Sequence, residues 1–77
     1  MALVRRFKNV TRNRYAVHGE VDCTVAAFVI NGQTFLQLDT GGSRGRKLKG
    51  KTSQSIQFDR DAAEQLVSLL RRTFELR

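Results

Sequence analysis

A single cysteine, Cys23, and a single histidine, His18, are this chain's whole supply of thiol and imidazole. One cysteine closes no internal disulfide, and one Cys with one His builds no zinc site of recognisable spacing, so a reducing cytoplasm is expected and a structural metal is not. No apolar run approaches the length of a membrane span or a secretory core, so no membrane partner is expected. Acids are scarce too: seven Asp and Glu stand against fourteen Lys and Arg. Residues 1–58 hold ten of the cations and only three acids, Glu20, Asp22 and Asp39, whereas residues 59–77 hold four of each sign. The whole surplus of +7 therefore precedes the last segment. Such a footprint points to nucleic acid, with an anionic membrane surface as the lesser alternative.

Catalysis also lacks parts. His18 is a lone imidazole in a strand-like run, better read as a surface or hydrogen-bonded residue than as a general base. Cys23 falls on the apolar parity of its run, which favours a core position over a nucleophile. The three early carboxylates are scattered and form no acid–base pair. No enzymatic activity, cofactor or small-molecule substrate is expected.

What the chain does have is concentrated in residues 41–52, GGSRGRKLKGKT, with five cations (Arg44, Arg46, Lys47, Lys49, Lys51) and no acid. Charge repulsion disfavours such clustering unless an anion offsets it. Residues 45–52 match the phosphate-cradling pattern GxxxxGK[ST], yet that loop must follow a strand and open a helix. Here Lys51-Thr52 leads into a strand-like run, and 77 residues leave no room for a companion βαβ scaffold. The pattern is therefore discounted as a nucleotide site.

From Tyr15 onward the odd positions read Tyr15, Val17, Gly19, Val21, Cys23, Val25, Ala27, Val29, a period of two that predicts strand, with Gly19 dividing it by a bulge or bend. Asn31-Gly32 then predicts a two-residue type I′ hairpin. The turn fixes the register: Ile30 opposes Gln33, Phe28 opposes Phe35, Ala26 opposes Gln37 and Val25 opposes Leu38. One face becomes Val25, Ala27, Val29, Leu36 and Leu38, suited to cover by a helix. The other sets Phe28 and Phe35 amid Ile30, Gln33, Gln37 and Asp39, a mixture suited to a partly wet binding surface or, alternatively, to a cross-strand packing pair.

Residues 53–58 (SQSIQF) predict a further strand, with Ile56 and Phe58 on one face and Ser53, Ser55 and Gln57 on the other. Asp59 is the predicted N-cap of a helix to residue 76, with Asp61 and Glu64 early and Arg71 and Arg72 late to complement the macrodipole. Ala63, Leu66, Val67, Leu70 and Phe74 form the stripe expected to close over the sheet, widened by Leu69, Thr73 and Leu76. So wide a stripe on a small domain suggests a second apolar surface to cover, hence a homodimer. A chain this short buries only about 60% of its unfolded surface, which makes a partner subunit useful.

The run NGQTFLQLDT, the basic Gly-rich loop, SQSIQFD and the helix AAEQLVSLL together resemble the transcriptional positive cofactor four family, single-stranded-DNA-binding coactivators with relatives in bacteria. The resemblance spans roughly residues 20–72. It implies a curved four-stranded antiparallel sheet with a carboxy-terminal helix, two copies pairing to form a groove for single strands, and Lys47, Lys49 and Lys51 as phosphate contacts. This chain departs from the family at Gln33 and Asp39, where Lys and Arg are common, and at Gly41-Gly42, where an aromatic often stands. Arg5, Arg6, Arg12 and Arg14 are candidates to compensate.

The expectation is one α+β domain over residues 1–77. Residues 1–14 form a basic arm or first strand (a transit peptide being the alternative), residues 15–58 form an antiparallel sheet of four or five strands, and residues 59–76 form the helix. Its function would be sequence-tolerant binding of single-stranded nucleic acid, DNA rather than RNA, in the cytoplasm or nucleoid. Arg44, Arg46, Lys47, Lys49, Lys51, Arg12 and Arg14 would meet phosphates. Phe28 and Phe35 would stack bases, and Gln33 and Gln37 would bond base or sugar edges. The alternative is a protein-interaction module whose basic loop docks an acidic partner.

Overall fold

Asn31 and Gly32 anchor the architecture, with φ of 51° and 77° placing both in the left-handed region that a type I′ turn requires. They join β2 (Cys23–Ile30) to β3 (Gln33–Thr40) in an antiparallel pair whose register runs from Ile30↔Gln33 to Cys23↔Thr40, as the turn dictates. The computed structural model describes residues 1–41 and 53–77. On the far side of β3 lies β4 (Gln54–Phe58), antiparallel, with Leu36 opposite Phe58 and Asp39 opposite Ser55. The fourth strand is β1 (Ala2–Val4), which runs parallel to β4 and completes the order β1-β4-β3-β2. One helix, α1 (Arg60–Phe74), follows β4 directly. The fold is α+β, a mostly antiparallel four-stranded sheet with a C-terminal helix.

The four strands are not quite the four that periodicity names. Residues 15–22, expected to be strand with a break at Gly19, belong to none. They close an extended, exposed connection that carries the chain from β1 at one edge of the sheet to β2 at the other. Alternation alone does not make a strand; a ladder partner must satisfy the backbone, and residues 15–22 pair neither with the outer edge of β2 nor with any other strand. Gly19 has no atom within 4 Å of where a Cβ would stand, so no bulge or close approach calls for it. Cys23, expected in the core by parity, is exposed, because it begins an edge strand.

Helix α1 starts as its sequence prescribes. Asp59 is extended (φ −86°, ψ −179°), and its Oδ1 accepts from the Ala62 amide at 2.9 Å. Asp61 lies in the first turn, Arg71 and Arg72 in the last, and Glu75 in left-handed conformation (φ 55°) ends the helix.

The helix does not lie down over the sheet along the expected stripe. Its fully buried residue is Ala62, with Gln65, Leu66 and Leu69 half-buried on the same side. Gln65 faces the amino-terminal segment: its Oε1 accepts from the Phe7 amide at 3.1 Å and its Nε2 donates to the Arg5 carbonyl at 3.4 Å. Phe7 stacks on Phe58 with ring centroids 6.2 Å apart. Arg5 reaches Asp59 across 3.3 Å. The segment after β1 thus takes the place beside Phe58 that the stripe was expected to fill. Val67, Leu70 and Phe74 remain 45%, 41% and 64% exposed. Between α1 and the sheet opens an apolar groove of about 500 Å³, walled by Ala27, Phe35, Leu36, Phe58, Ala63 and Val67. Among the described residues only Phe58 and Ala62 are buried apolar side chains.

Candidate nucleic-acid interface

The pleat assigns alternate residues to opposite faces, and pairing in register keeps neighbours on the same face. Leu36, Phe58 and Ala27 line the groove beneath α1. The opposite face is therefore built, in successive rows across the strands, from Ile30 and Gln33, then Phe28 and Phe35, then Ala26, Gln37, Gln57 and Leu3, then Thr24, Asp39 and Ser55.

Phe28 and Phe35 are directly opposed, and their rings stack with centroids 5.5 Å apart and planes inclined by 24°. Both are half-buried, neither sunk in a core nor fully open. They make one aromatic platform on the face opposite Leu36 and Phe58, with Phe35 also lining the groove beside α1. The next row is polar and continuous. Gln57 Nε2 donates to Gln37 Oε1 at 2.8 Å, and Gln37 Nε2 donates to both Asp39 carboxylate oxygens at 3.0 and 3.1 Å. Ser55, across the strand pair, and Gln37 together hold the Asp39 carboxyl below its ordinary value of 3.8, since both stabilise the charged form. The Thr24 hydroxyl donates to the Asp39 carbonyl at 3.4 Å, tying β2 to the same row.

The sequence-derived candidates separate into four groups. Phe28, Phe35 and Gln37 are brought together on this face. Gln33 sits exposed at the hairpin end, lining a separate polar hollow of about 320 Å³ with Arg5, Asp59 and Arg60. Arg12 and Arg14 stand exposed on the β1–β2 connection, where the Arg12 amide donates to the Tyr15 hydroxyl at 2.7 Å. Arg44, Arg46, Lys47, Lys49 and Lys51 lie outside the described residues. The roots of their loop are placed: Ser53 N donates to the Thr40 carbonyl at 2.8 Å and Gly41 N to the Asp22 carbonyl at 3.0 Å. The cationic loop thus springs from the Asp39 end of the face and shares it with the end of the basic β1–β2 connection.

Sequence reasoning overlooked Gln57, Ser55 and the anchoring use of Asp39. Their signal is positional: once β3 and β4 are in register, Gln37 faces Gln57 and Asp39 faces Ser55. That register is set across a long loop rather than a two-residue turn, so loop length does not give it. Among the described residues no group of three His, Cys, Asp or Glu could hold a metal ion, and no helix is long and apolar enough to cross a membrane. Comparison with protein-family models, curated proteins and solved structures finds no significant match to this chain.

Proposed function

We propose that this protein binds single-stranded nucleic acid, DNA in preference to RNA, with little overall sequence dependence, and that it does so as a homodimer. The observation that carries the reading is the stacked Phe28–Phe35 platform, half-buried on the sheet face opposite α1 and continued by a row of amide side chains. Aromatics on an open sheet face stack successive bases at about 1–3 kcal/mol each, while Lys and Arg beside them neutralise phosphates. The chain's cationic surplus lies outside the helical segment, and its densest part is rooted at one end of this same face.

The homodimer follows from the groove. A half-exposed stripe of Val67, Leu70 and Phe74, with Val67 at the wall of an apolar hollow, is a surface that costs free energy to leave in water. A second copy presents the same stripe, which makes a self-complementary two-fold contact the simplest cover. Pairing through the helix side leaves both aromatic platforms open.

Fluorescence anisotropy with a labelled oligonucleotide of about 20 nucleotides, in a salt series from ~50 mM, tests the reading. If about five phosphates are neutralised, log affinity falls with log salt at a slope near −3.5. Replacing Lys47, Lys49 and Lys51 together by Gln flattens the slope and weakens binding while leaving the melting temperature unchanged. Phe35→Ala weakens binding at every salt concentration and leaves the slope alone. The apolar groove also favours a second reading, a protein-interaction module whose basic loop docks an acidic partner. That module shows no anisotropy change with any oligonucleotide.

A further inference from the structure

The amide row on the aromatic face has a direction, and Asp39 sets it. An ionised carboxylate only accepts, so Gln37 must turn its NH₂ toward Asp39 and its carbonyl toward Gln57. Gln57 must then turn its own NH₂ toward that carbonyl. Its Oε1 is left as an acceptor, and among the described residues no side chain or amide donates to it. At the other end, Asp39 has about four lone-pair sites, more than Gln37 and Ser55 occupy. The open capacity of the row is therefore weighted toward acceptors at both ends, with a full negative charge at one of them.

The platform and the row are two residues apart along β3, Phe35 to Gln37, or about 7 Å. That distance lets a base stacked on Phe28 and Phe35 reach Gln37, Gln57 and Asp39 with its pairing edge. Single-stranded bases are open on that edge. Adenine, cytosine and guanine carry an exocyclic amino group there and can donate to the free acceptors. Thymine and uracil offer one N–H flanked by two carbonyl oxygens, so an acceptor that takes the N–H still meets a lone pair on either side. The carboxylate also repels the carbonyl oxygens of thymine and uracil.

We propose that this sheet face selects amino-bearing bases over thymine and uracil, with Asp39 and the Gln57 carbonyl as the specificity-determining acceptors and Gln37 as the residue that orients them. The inference rests on the single-strand-binding reading above and adds a preference to it. A site built to receive a donor discriminates strongly against a ligand that brings an acceptor, because its polar groups are then left unpaired.

The test compares deoxycytidine and deoxyuridine 20-mers, alike in length, charge and ring size, at one salt concentration and pH 7.5. The wild-type protein is expected to bind the cytidine oligomer about tenfold more tightly. Asp39→Asn reduces that ratio to about twofold or less and strengthens binding to the uridine oligomer, because the repelling charge is gone while both loop and salt slope are unaltered. Gln57→Leu, which removes the other acceptor without touching Asp39, also lowers the ratio. Circular dichroism confirms that each variant is folded; a folded variant of either kind that retains the full ratio overturns the proposal. Equal wild-type affinity for the two oligomers overturns it as well, and leaves single-strand binding standing. Binding to neither oligomer removes both readings together.

Discussion

Asp59 does three things with one side chain: it ends β4, caps α1 through the Ala62 amide and receives Arg5. The cap is the main stabilising contribution, since a largely exposed arginine adds little through an ion pair. Asp59→Ala is expected to lower unfolding free energy by about 1 kcal/mol, and Asp59→Asn, which keeps the cap, by much less; urea unfolding distinguishes them. Asp39 behaves differently because its contribution depends on charge. Its folded pKa lies below the unfolded value, so the stability it gives is complete above about pH 4 and is lost as pH falls through the folded pKa. In an acid titration of stability, Asp39→Asn removes that part of the slope and leaves the neutral plateau flat. The two assignments are not equally visible in the sequence. Asp59 announces itself by preceding an amphipathic run, while Asp39 reads as a stray carboxylate until Gln37 and Ser55 are seen on either side of it.

Among the elements, the β2–β3 hairpin is the part that local chemistry determines. Two residues with positive φ fix the turn, the turn fixes the register, and the register alone puts Phe28 on Phe35. Gly32→Ala requires a side chain at φ 77° and is expected to cost about 1 kcal/mol, read as a lower melting temperature with the same far-ultraviolet spectrum. The elements that sequence misjudges are those whose partners are distant. Residues 15–22 alternate like a strand but pair with none, leaving the outer edge of β2 unused, whereas residues 2–4, too short to show any period, find the open edge of β4. The helix was legible in extent and capping, and less so in orientation. Its pattern says which residues are apolar; it does not say that Phe7 will occupy the place beside Phe58 and turn Val67 and Phe74 outward.

The molecule as a whole has a small core for its size, two buried apolar side chains among the described residues, and an apolar groove beside its helix. Proteins in this regime draw stability from association. The proposed dimer makes the melting temperature rise with protein concentration, and Val67→Glu, aimed at the groove wall, is expected to abolish that rise and halve the mass seen by sedimentation equilibrium. A wild-type melting temperature independent of concentration would argue for a monomer. Because nucleic acid is proposed to bind the other face, single-strand affinity per subunit should survive this change better than stability does.

The parallel strand β1 has one further consequence, which concerns time. Hairpin, β4 and helix follow one another closely along the chain, but β1 must travel from the far end of the sequence to pair with β4. Contacts between residues so far apart carry the greatest loop-closure cost and tend to form last. The amides of residues 2–4 should then exchange with solvent sooner than those of β3, and the opened form would keep the hairpin, its aromatic pair and the roots of the cationic loop in place. The first strand in sequence would be the last to fold and the first to leave, and the binding face would outlast it.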